Sequence, residues 1–234
     1  MDTYNLSTPA DHLLEEDLLH RMHTLIQEAG EGRLTEARFM DLAQLEKTSF
    51  GMTVPKAWGL HRPGLSQMND LDTMKIRFVD QIGFAIPTVE YMDSLANLLS
   101  GLRVHEVCAR TGVLGSLMAR RGLDWTCSDL VPQGPHVEAL DALEALEKYK
   151  PDVVFASWID YESDLDQRLA SRVPCVFIQE GCTGTWESGF GESDLYEILR
   201  TPEGFTDVPN WQHMHDQTVL TVPRRGLNPF KSAY

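Results

Sequence analysis

Asp129 and the turn that begins at Cys108 are the residues whose types and spacing could do chemistry. The segment from Val104 to Leu130 reads as a short apolar strand ending at Glu106, then a small-residue turn through Cys108, Ala109, Thr111 and Gly112. A helix from about Val113 to Arg121 and a second strand ending in Asp129 complete it. That is one βαβ unit. An open α/β sheet binds ligands in the crevice outside the carboxyl ends of its strands, where the helix amino terminus points unpaired N–H groups at the guest. A carboxylate ending the second strand is the residue type that accepts hydrogen bonds from both hydroxyls of a ribose. Asp129 therefore predicts a nucleoside ligand, with adenosine as the expected nucleoside.

With those residues in view, the chain resembles the class I S-adenosylmethionine-dependent methyltransferases. Their first motif reads acidic-apolar-Gly-x-Gly-x-Gly, and it aligns here with Glu106, Val107, Cys108, Ala109, Arg110, Thr111 and Gly112, so that two of the three glycines are replaced. The likeness extends to a branch of methyltransferase-like proteins with further markers. They stand here, in that branch's order, as Phe84-Ala85-Ile86-Pro87, Asp141-Ala142, Ser157-Trp158-Ile159-Asp160-Tyr161 and Glu180-Gly181-Cys182-Thr183-Gly184. The resemblance implies S-adenosyl-L-methionine as cofactor, held by Glu106, Cys108, Arg110, Gly112, Asp129, Asp141, Ala142 and Trp158. It places Phe84 and Pro87 beside the methionine moiety, and Trp158 and Tyr161 around the methyl acceptor. Other readings stay open: Phe84 and Pro87 as core and turn residues, and Asp141 as the cap of the helix that follows it.

Methyl transfer from a sulfonium is an in-line displacement. It needs an acceptor held near attack distance and, for oxygen or protonated nitrogen, a base. Asp160 and Glu180 are the candidates for that base, Glu180 having the alternative of hydrogen-bonding the Cys182-Thr183-Gly184 turn.

These residues must be positioned by an α/β fold: a Rossmann-like, doubly wound, mostly parallel sheet of the methyltransferase type, with an N-terminal helical appendage. The domain division is 1–70 for the appendage and its loop and 71–234 for the Rossmann-like domain. In the appendage, Leu14, Leu18, Met22, Leu25 and Ala29 recur at helical spacing after the start signal Thr8-Pro9-Asp11, and a second helix spans about Thr35 to Lys47. Both stripes need a surface to cover them, and the chain's own domain is the first choice. Trp58 and His61 stand in a Gly- and Pro-rich connection that could reach over the crevice.

Next come a helix from about Thr88 to Leu99, a crossover after Asp129 too short for the usual helix, a third strand at about Val137 to Leu140, and a helix from Ala142 to Tyr149. Pro151 to Ala156 is a β-branched run of the kind a central parallel strand shows, and Pro174 to Glu180 gives the fifth strand. A helix at about Ser193 to Leu199, then strands near Phe205 to Val208 and Thr218 to Pro223, would finish the sheet with an antiparallel edge hairpin.

Composition narrows the function. With 234 residues, 42% of them hydrophobic and 24% charged, the chain has the make-up of a globular protein. A formal net charge of -15 argues against a surface that tracks phosphates, so nucleic acid is an unlikely partner. The four cysteines form no CxxC pair and read as reduced thiols. No stretch approaches the roughly 20 apolar residues of a membrane span, and the start is acidic, so a cytoplasmic protein is expected. His213, His215 and Asp216 lack a further spaced ligand, and no metal is expected. The partners expected are a small-molecule or protein substrate, with a second copy of the chain or a basic protein as further choices. Three functions stay open: methyl transfer, a degenerate methyltransferase fold kept as a binding or scaffold protein, and an acidic decoy for a nucleic-acid-binding partner.

Overall fold

The computed structural model describes residues 89–160, 163–179, 193–201 and 215–230, with 205, 208, 209 and scattered positions between 20 and 38. The described domain starts with helix α1 (Val89–Leu98), whose Tyr91, Met92 and Leu95 fall on one stripe and are buried. Strand β1 (Arg103–Val107), helix α2 (Val113–Arg120) and strand β2 (Asp124–Asp129) form the βαβ unit. Then follow β3 (Val137–Ala139), α3 (Ala142–Tyr149), β4 (Val153–Ser157), α4 (Leu165–Ala170) and β5 (Cys175–Gln179). Strands β6 (Tyr196–Leu199), β7 (Val208–Pro209) and β8 (His215–Pro223) end the order.

The strands lie in the order β3-β2-β1-β4-β5-β8-β6, with β7 pairing on β8 off this path. The β3 to β5 segment is parallel throughout, and β8 runs antiparallel between β5 and β6. This is a Rossmann-like α/β sheet of the methyltransferase type. Its strand order reverses between β1 and β4, which puts the crevice at their carboxyl ends.

Side-chain alternation along the strands divides the core between the two faces. On one face Val104, Phe155, Val176 and Ile178 pack with α1 and α2, joined by Phe230 and by Leu25 of the helical residues at 20–28. On the other Val107, Val154, Ala156 and Phe177 pack with α3 and α4. Burying each such large side chain is worth roughly 1.5–3 kcal/mol, so sheet packing outweighs the propensity of helices as short as these. Leu25 thus contributes to the same core as the sheet, while the division near residue 70 lies outside the described residues.

Two expectations change. Residues 196–199 form a strand, not part of a helix: Tyr196 turns inward, and pairing with β8 decides the segment over its weak helical pattern. The antiparallel strand is accordingly not an edge. It reaches back to His215, lies inside the sheet, and leaves β6 outermost on the path, while Phe205 is buried outside any strand. Helix α4 between β4 and β5 adds an element the periodicity does not reveal, because its six residues are too few to show one. The crossover from β2 to β3 contains turns and no helix.

Candidate functional site

The loop after β1 is bent into left-handed backbone at three positions, Cys108 (φ 56), Arg110 (φ 48) and Gly112 (φ 67). Only the last is a glycine, so Cys108 and Arg110 hold a conformation that L side chains rarely adopt. Gly112 is required for a second reason: a Cβ there would stand 2.7 Å from Val137 Cγ2. The residue also serves as the N-cap of α2 without a side-chain cap.

The loop is held by Asp129. Its Oδ2 accepts the Arg110 N–H at 2.8 Å, and its Oδ1 accepts the Val131 N–H at 2.8 Å. Each carboxylate oxygen has a second lone pair, so the two anchors orient Asp129 without exhausting it. The segment after β2 then folds back over the loop. Gln133 donates its N–H to Arg110 O at 2.9 Å, and Gly134 lies so close to Thr111 that a Cβ would be 2.0 Å from Thr111 O. Leu130 and Val131, each 72% exposed, present bare apolar surface directly after Asp129.

Around Cys108 the carboxylates gather. Burial pushes its thiol up to about 12, and the charges of Asp129, Asp160 and Asp141 add to the rise while Arg110 opposes it. Among the residues singled out by type and motif, the direct contact is the Arg110 N–H on Asp129. A thiol held so high offers no thiolate nucleophile. Asp141 also caps α3, its Oδ1 accepting N–H bonds from Leu143 at 2.8 Å and Glu144 at 3.3 Å. Ala142, next to it, is buried at the start of that helix. Trp158 follows β4 with φ 54 and donates its N–H to Ile178 O at 2.9 Å, which ties the turn bearing exposed Asp160 to β5.

Glu106 faces elsewhere. Alternation turns it under α2, where its Oε2 accepts from Trp125 Nε1 at 3.0 Å and Cys127 Sγ at 3.5 Å, beside Gly115. Burial pushes its carboxyl up to about 7, against donated bonds from Trp125, Cys127 and the Gly115 N–H, and with some help from the charge of Asp129. A pH dependence follows. A folded pKa raised above the ordinary 4.5 gives stability that is full below about pH 4.5 and is lost as pH rises through about 7. Glu106→Gln should therefore be more stable than wild type by roughly 2–3 kcal/mol above neutrality. The difference should vanish near pH 4.5 in denaturant titrations. Buried His105 works in the opposite sense, its pKa lowered by burial to about 4, so comparison of variant with wild type isolates Glu106.

Phe84, Pro87, Tyr161 and Glu180 lie outside the described residues, as do Trp58, His61, Cys182, His213 and most of the second N-terminal helix. Among the described residues no cluster could hold a metal ion, and no helix is long and apolar enough to cross a membrane. Sequence reasoning passed over Leu130, Val131 and the Gln133-Gly134 segment. Two apolar residues between a strand-ending acid and Pro132 were the available signal. Nothing local announced that Gly134 would meet Thr111.

No family model and no curated protein matches the chain. A solved crystal structure of a mutant of MtNAS is similar, with a TM-score of 0.40 and 9% identity, covering 91% of this chain and 75% of that one. The fold assignment stands on the strand order and directions given above.

Proposed function

We propose that the protein is an S-adenosyl-L-methionine-dependent methyltransferase acting on a small-molecule or protein acceptor. The observation that supports this best is Asp129 at the end of β2, beside the reversal of strand order, holding the loop after β1 through the Arg110 N–H. The residues present fit the cofactor. Asp129 keeps lone pairs for ribose hydroxyls, and Leu130 and Val131 offer a platform for a flat base. The surrounding carboxylates suit a sulfonium. The cofactor supplies an electrophilic methyl carbon. Asp160, exposed beside the Trp158 turn, would accept the proton from the acceptor as its oxygen or nitrogen attacks. Glu180 is the other candidate for that task.

A second reading has an observation of its own. Asp129 already binds two backbone N–H groups, and the segment at Gln133 and Gly134 presses on the loop, so the motif region is satisfied by its own chain. That is how a methyltransferase fold retained as a binding or scaffold protein would look. Calorimetric titration with S-adenosylmethionine separates the two. Saturable heat, competed by S-adenosylhomocysteine, is expected. Silence at millimolar ligand would sink the enzyme reading and leave the scaffold.

A further inference from the structure

His105 is wholly buried in the middle of β1, and both of its ring nitrogens are bonded to side chains of β2. Nδ1 lies 2.7 Å from Thr126 Oγ1 and Nε2 lies 2.9 Å from Ser128 Oγ. Thr126 Oγ1 donates its own proton to Val104 O at 3.4 Å, so it accepts from Nδ1–H, and Nε2 accepts from the Ser128 hydroxyl. The ring is neutral in this arrangement, its pKa lowered to about 4 by burial.

One imidazole thus spans two successive positions on one face of β2. His105 stands opposite Thr126 in the register, and alternation makes Ser128 the next residue on that face. Here β2 offers only Asp124, Thr126 and Ser128, so no apolar side chain on this face holds its end against β1. A satisfied buried polar network does so instead, because other placements leave donors and acceptors unmet. The helix side of the ring is closed as well. Tyr149 of α3 stacks on it, centroids 4.4 Å apart and planes at 21°, and the Tyr149 hydroxyl donates to Glu138, which Lys148 also holds. Glu138 is in turn the register partner of Ser128, so β1, β2, β3 and α3 meet in this network.

The loop after β1 hangs from this end of β2. Ser128 O accepts the Ala109 N–H at 3.1 Å, and the Asp129 carboxylate accepts the Arg110 N–H at 2.8 Å. We propose that His105 is a positioning residue: through Ser128 it holds the tip of β2, and with it Asp129 and the loop, in the arrangement that receives a nucleoside. That this nucleoside is the methyl donor rests on the reading above; the hold of His105 on the loop does not.

Amide hydrogen exchange, followed by NMR at fixed pH, reads the two loop bonds directly. In His105→Leu the Ala109 and Arg110 N–H groups should exchange roughly tenfold faster than in wild type or more, the factor that one lost hydrogen bond gives. The Trp158 N–H, bonded to Ile178 O at the same end of the sheet and outside the network, should keep its rate. A merely structural role would speed all three together. His105→Gln, which retains a donor and an acceptor, should restore the wild-type pattern. Ser128→Ala keeps the ring and should loosen the same two groups, so it decides the question should His105→Leu fail to fold. Unchanged rates at Ala109 and Arg110, or equal acceleration at Trp158, overturn the proposal. Calorimetric titration with S-adenosylmethionine keeps the two readings apart. Affinity roughly tenfold lower in the loosened variant is expected, and equal affinity overturns the proposal. Absence of cofactor heat from wild type, with the exchange pattern as expected, removes the methyl-transfer reading and leaves the hold of His105 on the loop standing.

Discussion

Asp129→Ala should bind S-adenosylmethionine roughly 100-fold more weakly than wild type or worse, in calorimetric titration of both proteins. The magnitude comes from what the carboxylate holds. It accepts the Arg110 and Val131 N–H groups, each at 2.8 Å, and it is the residue proposed to take the ribose hydroxyls. Hydrogen bonds to a charged group are worth about 1.5–3 kcal/mol each, and losing two from the ligand alone accounts for the change. Alanine also releases the loop, so its left-handed turns at Cys108 and Arg110 lose an anchor and the site loses its preformed shape. Asp129→Asn should fall between the two proteins, since its amide keeps one acceptor but sets an NH2 against one of the backbone N–H groups. Circular dichroism would confirm that the variants are folded. Undiminished affinity in a folded Asp129→Ala protein would move the nucleoside away from the end of β2.

Gly134→Ala should lower the melting temperature by roughly 5–10 °C and weaken cofactor binding as well. The added Cβ would be 2.0 Å from Thr111 O and 2.7 Å from Thr111 C, both main-chain atoms, so no side-chain rotation relieves the clash. The segment from Leu130 to His136 would have to lift off the motif loop, breaking the bond from the Gln133 N–H to Arg110 O. Overpacking of this kind typically costs about 1–3 kcal/mol, more when backbone must move. Gln133→Ala is the control, because it removes a side chain and leaves that N–H in place. It should match wild type in melting temperature and in cofactor affinity. If Gly134→Ala behaves like its control, the two loops do not depend on each other.

The two variants probe different levels of information in the chain. Asp129 was legible as a strand-ending acid from a run of residues around it. The close approach of Gly134 to Thr111 was not, since the two are separated by a helix and a strand and meet only when the sheet assembles. Glu106 shows the same division within one motif. Resemblance set it among the cofactor ligands, but strand parity turns its carboxylate beneath α2, where Trp125 and Cys127 donate to it. Asp141 shows the local reading realised, since its carboxylate caps α3 by accepting the Leu143 and Glu144 N–H groups.

By itself, the sequence determined the βαβ unit from Val104 to Asp129, the helix at Ala142–Tyr149 with its aspartate cap, and the buried parallel character of β4. Each rests on residues close in the chain: apolar periodicity, a capping side chain, a β-branched run. Only the tertiary structure decided that residues 196–199 are a strand, that β8 runs antiparallel inside the sheet, and that a loop from beyond β2 closes on the loop after β1. Those outcomes depend on pairing and contact between segments far apart in sequence, where the free energy of burying a shared face overrides weak local preference.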